Sequence, residues 1–240
     1  MALTTAGSRL TNAHAAAQEE IGLEIEAEVL ALWRDVFDPS LRTSGRVFAG
    51  LAAGVAEEAF RQSQGAAGAY LRAFTEVEVD RALSGVSEVP WRPEWAERKF
   101  LTDGLDELER LIGNGWTLEG AVESAGSKVA GAAQNTALAG GRNMIVDTTY
   151  GNDVFTGWRR VVRHVGQDGP CSFCRMLADN GVVYSERSVR FAAHNRCYCV
   201  AEPAFDVGPQ LSVHQYVAST RRRTARQREE LREYLRAFYG

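Results

Sequence analysis

Apolar residues recur at helical spacing through the first two-thirds of the chain. Ile21, Ile25, Val29, Leu32, Trp33 and Val36 follow one another at three- and four-residue steps and make one apolar stripe, while Glu24, Glu26 and Glu28 fall off it. Asp38-Pro39 should end this helix, because proline disfavours helix at the residue before it. Phe48, Leu51, Val55 and Phe60 predict a second helix. Tyr70 to Leu83 reads as its helical continuation, although Thr75-Glu-Val-Glu-Val-Asp80 also alternates as a strand would. Pro90-Trp-Arg-Pro93 is a break, and Trp95 to Ile112 is again periodic, closed by Gly113-Asn-Gly115. Thr117 has the character of an N-cap, with Glu119 in the first turn. From Leu118 to Asn152 the chain is rich in Ala and Gly, which predicts a tightly packed core helix. Gly140-Gly141 is the point where that helix is expected to kink or break.

The pattern changes near Phe155. Trp158 to Arg163 reads as a strand, Arg175 to Asn180 as a single helical turn, and Val182-Val183-Tyr184 as a short strand. Cys197 to Ala201 reads as another strand, ended by Pro203. The predicted class is α+β: a helical body over 1–153, a small β-rich module over 154–206, and over 207–240 a linker with a basic amphipathic C-terminal helix. A module of this size holds little core of its own, and a metal is one common remedy.

All four cysteines of the chain fall in a 29-residue window, as Cys171-Ser-Phe-Cys174 and then His194-Asn-Arg-Cys197-Tyr-Cys199. A CxxC puts two thiolates on one tight turn, at a separation a tetrahedral zinc can bridge, and the HxxCxC supplies a second half-site. Cys171, Cys174, His194, Cys197 and Cys199 are therefore the expected ligands of a structural zinc. Five donors exceed the usual four. Residues one apart face opposite sides of a strand, so an extended chain would present only one of Cys197 and Cys199, whereas a turn would let both reach. Disulfides and a catalytic thiol are the competing readings.

Composition adds the compartment and a charge asymmetry. No run approaches the ~18 apolar residues of a membrane span. Met1 to Thr11 lacks the basic-then-apolar pattern of a signal peptide, so folding in a reducing cytoplasm is expected, which favours metal over disulfide. The net charge of −4 hides a tail, Ser219 to Gly240, in which seven arginines face three glutamates. Arg221, Arg222, Arg223, Arg226 and Arg228 are candidates for contact with phosphates of packaged DNA. A solvated charged face is the plainer reading.

The order Trp158-Arg-Arg-Val, Gly169-Pro-Cys-Ser-Phe-Cys-Arg-Met-Leu177, Gly181-Val-Val-Tyr184 and Ala193-His-Asn-Arg-Cys-Tyr-Cys-Val-Ala-Glu-Pro203 resembles the phage Mu F-like minor head proteins, in the form found in tailed phages of actinobacteria. Asn195 and Tyr198 stand where many of those proteins have proline and arginine. The resemblance implies a low-copy structural protein of the virion, inside the capsid, assembled in the host cytoplasm and not an enzyme. Its implied partners are the portal and the major capsid protein, with no membrane. Two alternatives stand beside it. One is a zinc-stabilised nucleic-acid-binding protein. The other is an HNH-like nuclease with His164 as base and His194 as ligand, which the segment after Cys199 supports poorly.

Overall fold

The structure is a computed structural model and describes residues 2–41, 43–163, 172–179, 183–185, 189–205 and 224–239. Four long helices form the body: α1 (Thr5–Val36), α2 (Ser44–Val79), α3 (Pro93–Gly113) and α4 (Leu118–Gly151). Two of them begin at a side-chain cap. The Thr4 hydroxyl accepts from the Gly7 N–H at 2.9 Å to cap α1, and Thr117 does the same for Gly120 at 3.2 Å to cap α4. α1 stops at Val36, ahead of Asp38-Pro39.

The helical continuation read from Tyr70 extends to Val79, short of Leu83, because Leu71, Phe74 and Thr75 are buried on the helix stripe that continues from Ala67. The Thr75 hydroxyl donates back to the Leu71 carbonyl at 2.7 Å, and Asp80, at φ 53°, terminates the helix. Gly140-Gly141 does not interrupt α4. These glycines are where the backbone of α2 passes against α4. A Cβ on Gly140 would lie 2.5 Å from the Phe60 carbonyl oxygen, and one on Gly141 2.7 Å from that of Ser63. The small side chains set helix separation here, not helix breakage.

The module contributes β1 (Gly157–Val161), α5 (Ser172–Asp179) and β2 (Val200–Ala204), and α6 (Ala225–Tyr239) follows. β1 and β2 pair antiparallel with Trp158 opposite Pro203. β2 therefore begins after Cys199 and includes the proline expected to end it. Trp158 exchanges both of its main-chain hydrogen bonds with Tyr184 on the other side (3.1 and 2.7 Å), so its pairing with Pro203 needs no N–H from the proline. Of the predicted strand Val182-Val183-Tyr184, Val182 lies outside the described residues, and Tyr184 forms an isolated bridge to Trp158. α5 is eight residues long, more than the single turn expected.

The module shares a core with the body. Tyr70 and Phe74 of α2 and Met144 to Val146 of α4 pack with Phe155, Trp158 and Phe191. Polar contacts fix the seam. Trp158 Nε1 donates to the Tyr150 hydroxyl at 2.9 Å, the Thr11 hydroxyl donates to Glu202 at 2.7 Å, and Glu202 is ion-paired with Arg159.

The glycine contacts generate a paired prediction. Gly54 in α2 faces open space, whereas Gly140 faces the backbone of Phe60. Gly54→Ala should raise stability by roughly 0.5–1 kcal/mol, and Gly140→Ala should lower it by about 1–3 kcal/mol. Chemical denaturation of both variants checks the opposite signs.

Candidate metal centre

The HxxCxC segment folds into a turn, not a strand. Arg196 takes φ 61°, and the Cys197 N–H reaches back to the His194 carbonyl at 3.2 Å. This unusual conformation for a non-glycine residue is held from outside. The Arg196 N–H donates to Gln134 Oε1 at 2.9 Å, and its guanidinium reaches Glu26 at 2.6 Å and the Ser127 carbonyl at 2.7 Å. The turn buries both Cys197 and Cys199, each 2% exposed.

Opposite them, α5 presents Cys174. Its Sγ lies 3.6 Å from Cys197 Sγ and 3.9 Å from His194 Nε2, and the three donor atoms all lie within 4.8 Å of one another. Two thiolates on one tetrahedral zinc, each at ~2.3 Å from the ion, are ~3.7 Å apart. A disulfide would bring the sulfurs to ~2.05 Å. Cys199 is buried in the same core as the other two cysteines. The His194 tautomer follows from its surroundings. Nδ1 sits 2.6 Å from the Asn195 carbonyl, which can only accept, so Nδ1 carries the proton and bare Nε2 faces Cys174. A backbone carbonyl holding the far nitrogen in this way is the usual support of a metal-bound histidine. The Cys174–His194–Cys197 cluster can thus hold a metal ion.

The cluster is oriented by side chains that the sequence pattern did not single out. Gln134 Nε2 donates to the Cys197 carbonyl at 3.0 Å. Arg142 donates through Nε to the Cys199 carbonyl at 3.0 Å, through Nη1 to Asn135 Oδ1 at 3.0 Å, and through Nη2 to the Cys197 carbonyl. Arg160 of β1 reaches the Cys174 sulfur at 3.6 Å and the Ala192 carbonyl, and its guanidinium stacks over the Phe191 ring at 3.9 Å. Both arginines are buried. Burial pulls Arg142 below the usual guanidinium range, and the thiols of Cys197 and Cys199 act in the opposite direction. The hydrogen bond from Cys174 draws Cys197 far below the ordinary cysteine range, helped by Cys199 and by Arg142. The same bond holds Cys174 above that range. A site with two buried cations beside it favours the thiolate form that a metal requires.

Sequence comparison agrees with this architecture. Residues 2–211 match the family described as VG15 protein. The chain belongs to the VG15 protein family. This is a family of phage proteins, and the match spans both the helical body and the cysteine module. No curated protein and no solved structure matches the chain significantly.

Of the expected ligands of this VG15 family member, the structure brings together Cys174, His194 and Cys197, with Cys199 buried in the same core. Cys171, His164, Arg221, Arg222, Arg223 and the Arg228 side chain lie outside the described residues. Gln134 and Arg142 carried one faint signal: they are polar residues eight apart in a run otherwise dominated by alanine and glycine. Arg142→Met, which keeps the bulk and removes the donors, should weaken metal binding by about 10–100-fold. Competition against a chromogenic chelator measures this, and an unchanged helical dichroism spectrum shows that the body is intact.

Proposed function

We propose that this VG15 family member is a structural, non-enzymatic minor component of the phage head, and that its cysteine module is closed by one zinc ion. The family match carries the phage assignment, since it covers body and module as one unit. The donor set supports zinc. Thiolate and imidazole are the donors of structural zinc sites, and softer sulfur ligands disfavour magnesium and calcium. Cys174, His194 and Cys197 supply three donors, and Cys199, buried in the same core, would supply the fourth of a closed structural site. When bound, the ion would supply a fixed crosslink between α5 and the turn at Cys197. The residues around it do the remaining work: His194 is held in one tautomer, and Arg142 and Gln134 anchor the turn to α4.

Among the described residues no helix is long and apolar enough to cross a membrane. A place inside the head, next to the portal, the shell protein or packaged DNA, is part of the same proposal.

The test is quantitative mass spectrometry of purified particles. The protein should be present in far fewer copies than the major shell protein, and the isolated chain should carry about one zinc. Cys174→Ala and Cys197→Ala should each abolish stoichiometric zinc. Detection only in lysates of infected cells, never in particles, contradicts the placement, and a metal-free chain with oxidised cysteines contradicts the zinc.

A further inference from the structure

The chain between α2 and α3 runs as an irregular strap that is pinned to both α2 and α4. Gln64 of α2 donates through Nε2 to the Val89 carbonyl at 3.0 Å, and its Oε1 accepts from the Val89 N–H at 3.1 Å. The Ser87 N–H donates to the Thr148 hydroxyl of α4 at 2.9 Å. Trp91, further along the strap, packs on Phe60 with ring centroids 5.2 Å apart. Two open cavities of about 450 and 550 Å3 adjoin here, because Phe60, Val89 and Trp91 line both of them. Together they make one groove, already formed in the unliganded chain and large enough for a ligand.

The groove is basic in a chain whose net charge is −4. Arg61 and Arg72 line the first cavity with Glu88, and Arg92 and Arg190 line the second with Asp147. Arg61 is ion-paired with Glu57, and Arg190 with Asp147. Arg72 and Arg92, one in each cavity, are exposed and pair with no carboxylate among the described residues. The second cavity also carries Trp95, which is 48% exposed. The Trp95 N–H bonds to the Arg92 carbonyl at 3.2 Å in the first turn of α3, so one turn holds both side chains at the groove. An indole held in solvent beside a cation adds little to the stability of the isolated chain, and such a surface marks a place of contact.

We propose that this groove binds single-stranded nucleic acid, with a base stacked on Trp95 and phosphates held by Arg72 and Arg92. Aromatic side chains stack on unpaired bases, whose faces are free, whereas the faces of bases in a duplex are covered by their neighbours. Guanidinium groups suit phosphate oxygens, which they can meet with two parallel hydrogen bonds. One unpaired arginine in each of two adjoining cavities fits successive phosphates of a strand better than a lone nucleotide. An acidic peptide would satisfy the arginines and leave Trp95 without a planar partner, and a basic one would be repelled. The pinned strap keeps the ordering cost of binding low. DNA and RNA share this chemistry. The inference is independent of the metal and of the virion reading.

Fluorescence anisotropy of the full chain with labelled oligonucleotides of about 12 bases tests it, since single-strand sites span roughly 4–16 nucleotides. Matched deoxy- and ribo-oligonucleotides distinguish the two sources of the strand. The wild-type chain should bind at least one of them, more weakly as salt is raised. Arg72→Glu with Arg92→Glu should weaken that binding by about tenfold or more and flatten the salt dependence by about 1.4 in log–log slope, two phosphate contacts at about 0.7 each. Trp95→Ala should weaken it about tenfold with the slope unchanged, and Trp95→Phe, which keeps a stacking face, should retain most of the affinity. All three positions are exposed, and circular dichroism verifies that the variants fold. A wild-type chain that binds neither strand at low salt overturns the proposal. Groove variants that bind like the wild type overturn it too, and assign the binding to another surface such as the tail. Competition by poly-glutamate as effective as that by unlabelled strand, with Trp95→Ala silent, overturns it in favour of an acidic protein partner.

Discussion

The small module depends on the guanidinium of Arg142, buried against the carbonyls of Cys197 and Cys199. A buried cation is tolerated only where its donors are satisfied and negative charge lies near, since the effective penalty of burial is several kcal/mol per ion. Here Cys197, Cys199 and Asn135 supply the acceptors, and the thiols supply the charge. The dependence runs both ways. The turn that aims Cys197 and Cys199 inward needs Arg142 and Gln134, and those side chains would be costly in the core of α4 without the turn's carbonyls. Removing either half leaves buried polar groups unpaired, which is worse than never having buried them.

α4 is consequently both the centre of the bundle and the floor of the site. Its N-terminal half packs with α1 and α3, where Trp33 Nε1 donates to the Val122 carbonyl at 3.0 Å. Its middle, at Gly140 and Gly141, lets α2 approach to backbone distance, and the Gly141 N–H donates to the Ser63 hydroxyl at 2.9 Å. With its alanine and glycine faces packed on three other helices, α4 has little freedom to shift, so Gln134, Asn135 and Arg142 are delivered at fixed positions. The candidate metal ligands rest on a rigid element although they lie on a turn and a short helix.

Much of this was legible in the sequence. Helical periodicity located the four long helices and the Thr117 cap, and the clustering of cysteines located the site. The misreadings share one cause: local pattern was overruled by tertiary packing. Gly140-Gly141 weakens a helix only where nothing packs against it, and here the backbone of α2 does. Pro203 sits inside a strand because its neighbour Trp158 spends its hydrogen bonds on Tyr184. The supporting shell was not legible, because Arg142 and Arg160 lie 57 and 14 residues from the groups they hold. Nothing local marks a side chain whose partner is that far along the chain.

A bound ion and the α4 clamp together would hold the cysteine turn. Amide hydrogen exchange before and after chelation tests it most directly. Chelation should strip protection from the amides of Cys197 to Val200 and of α5, while those of Gln134 to Arg142 within α4 keep theirs. Unchanged protection of the turn on metal removal would contradict it.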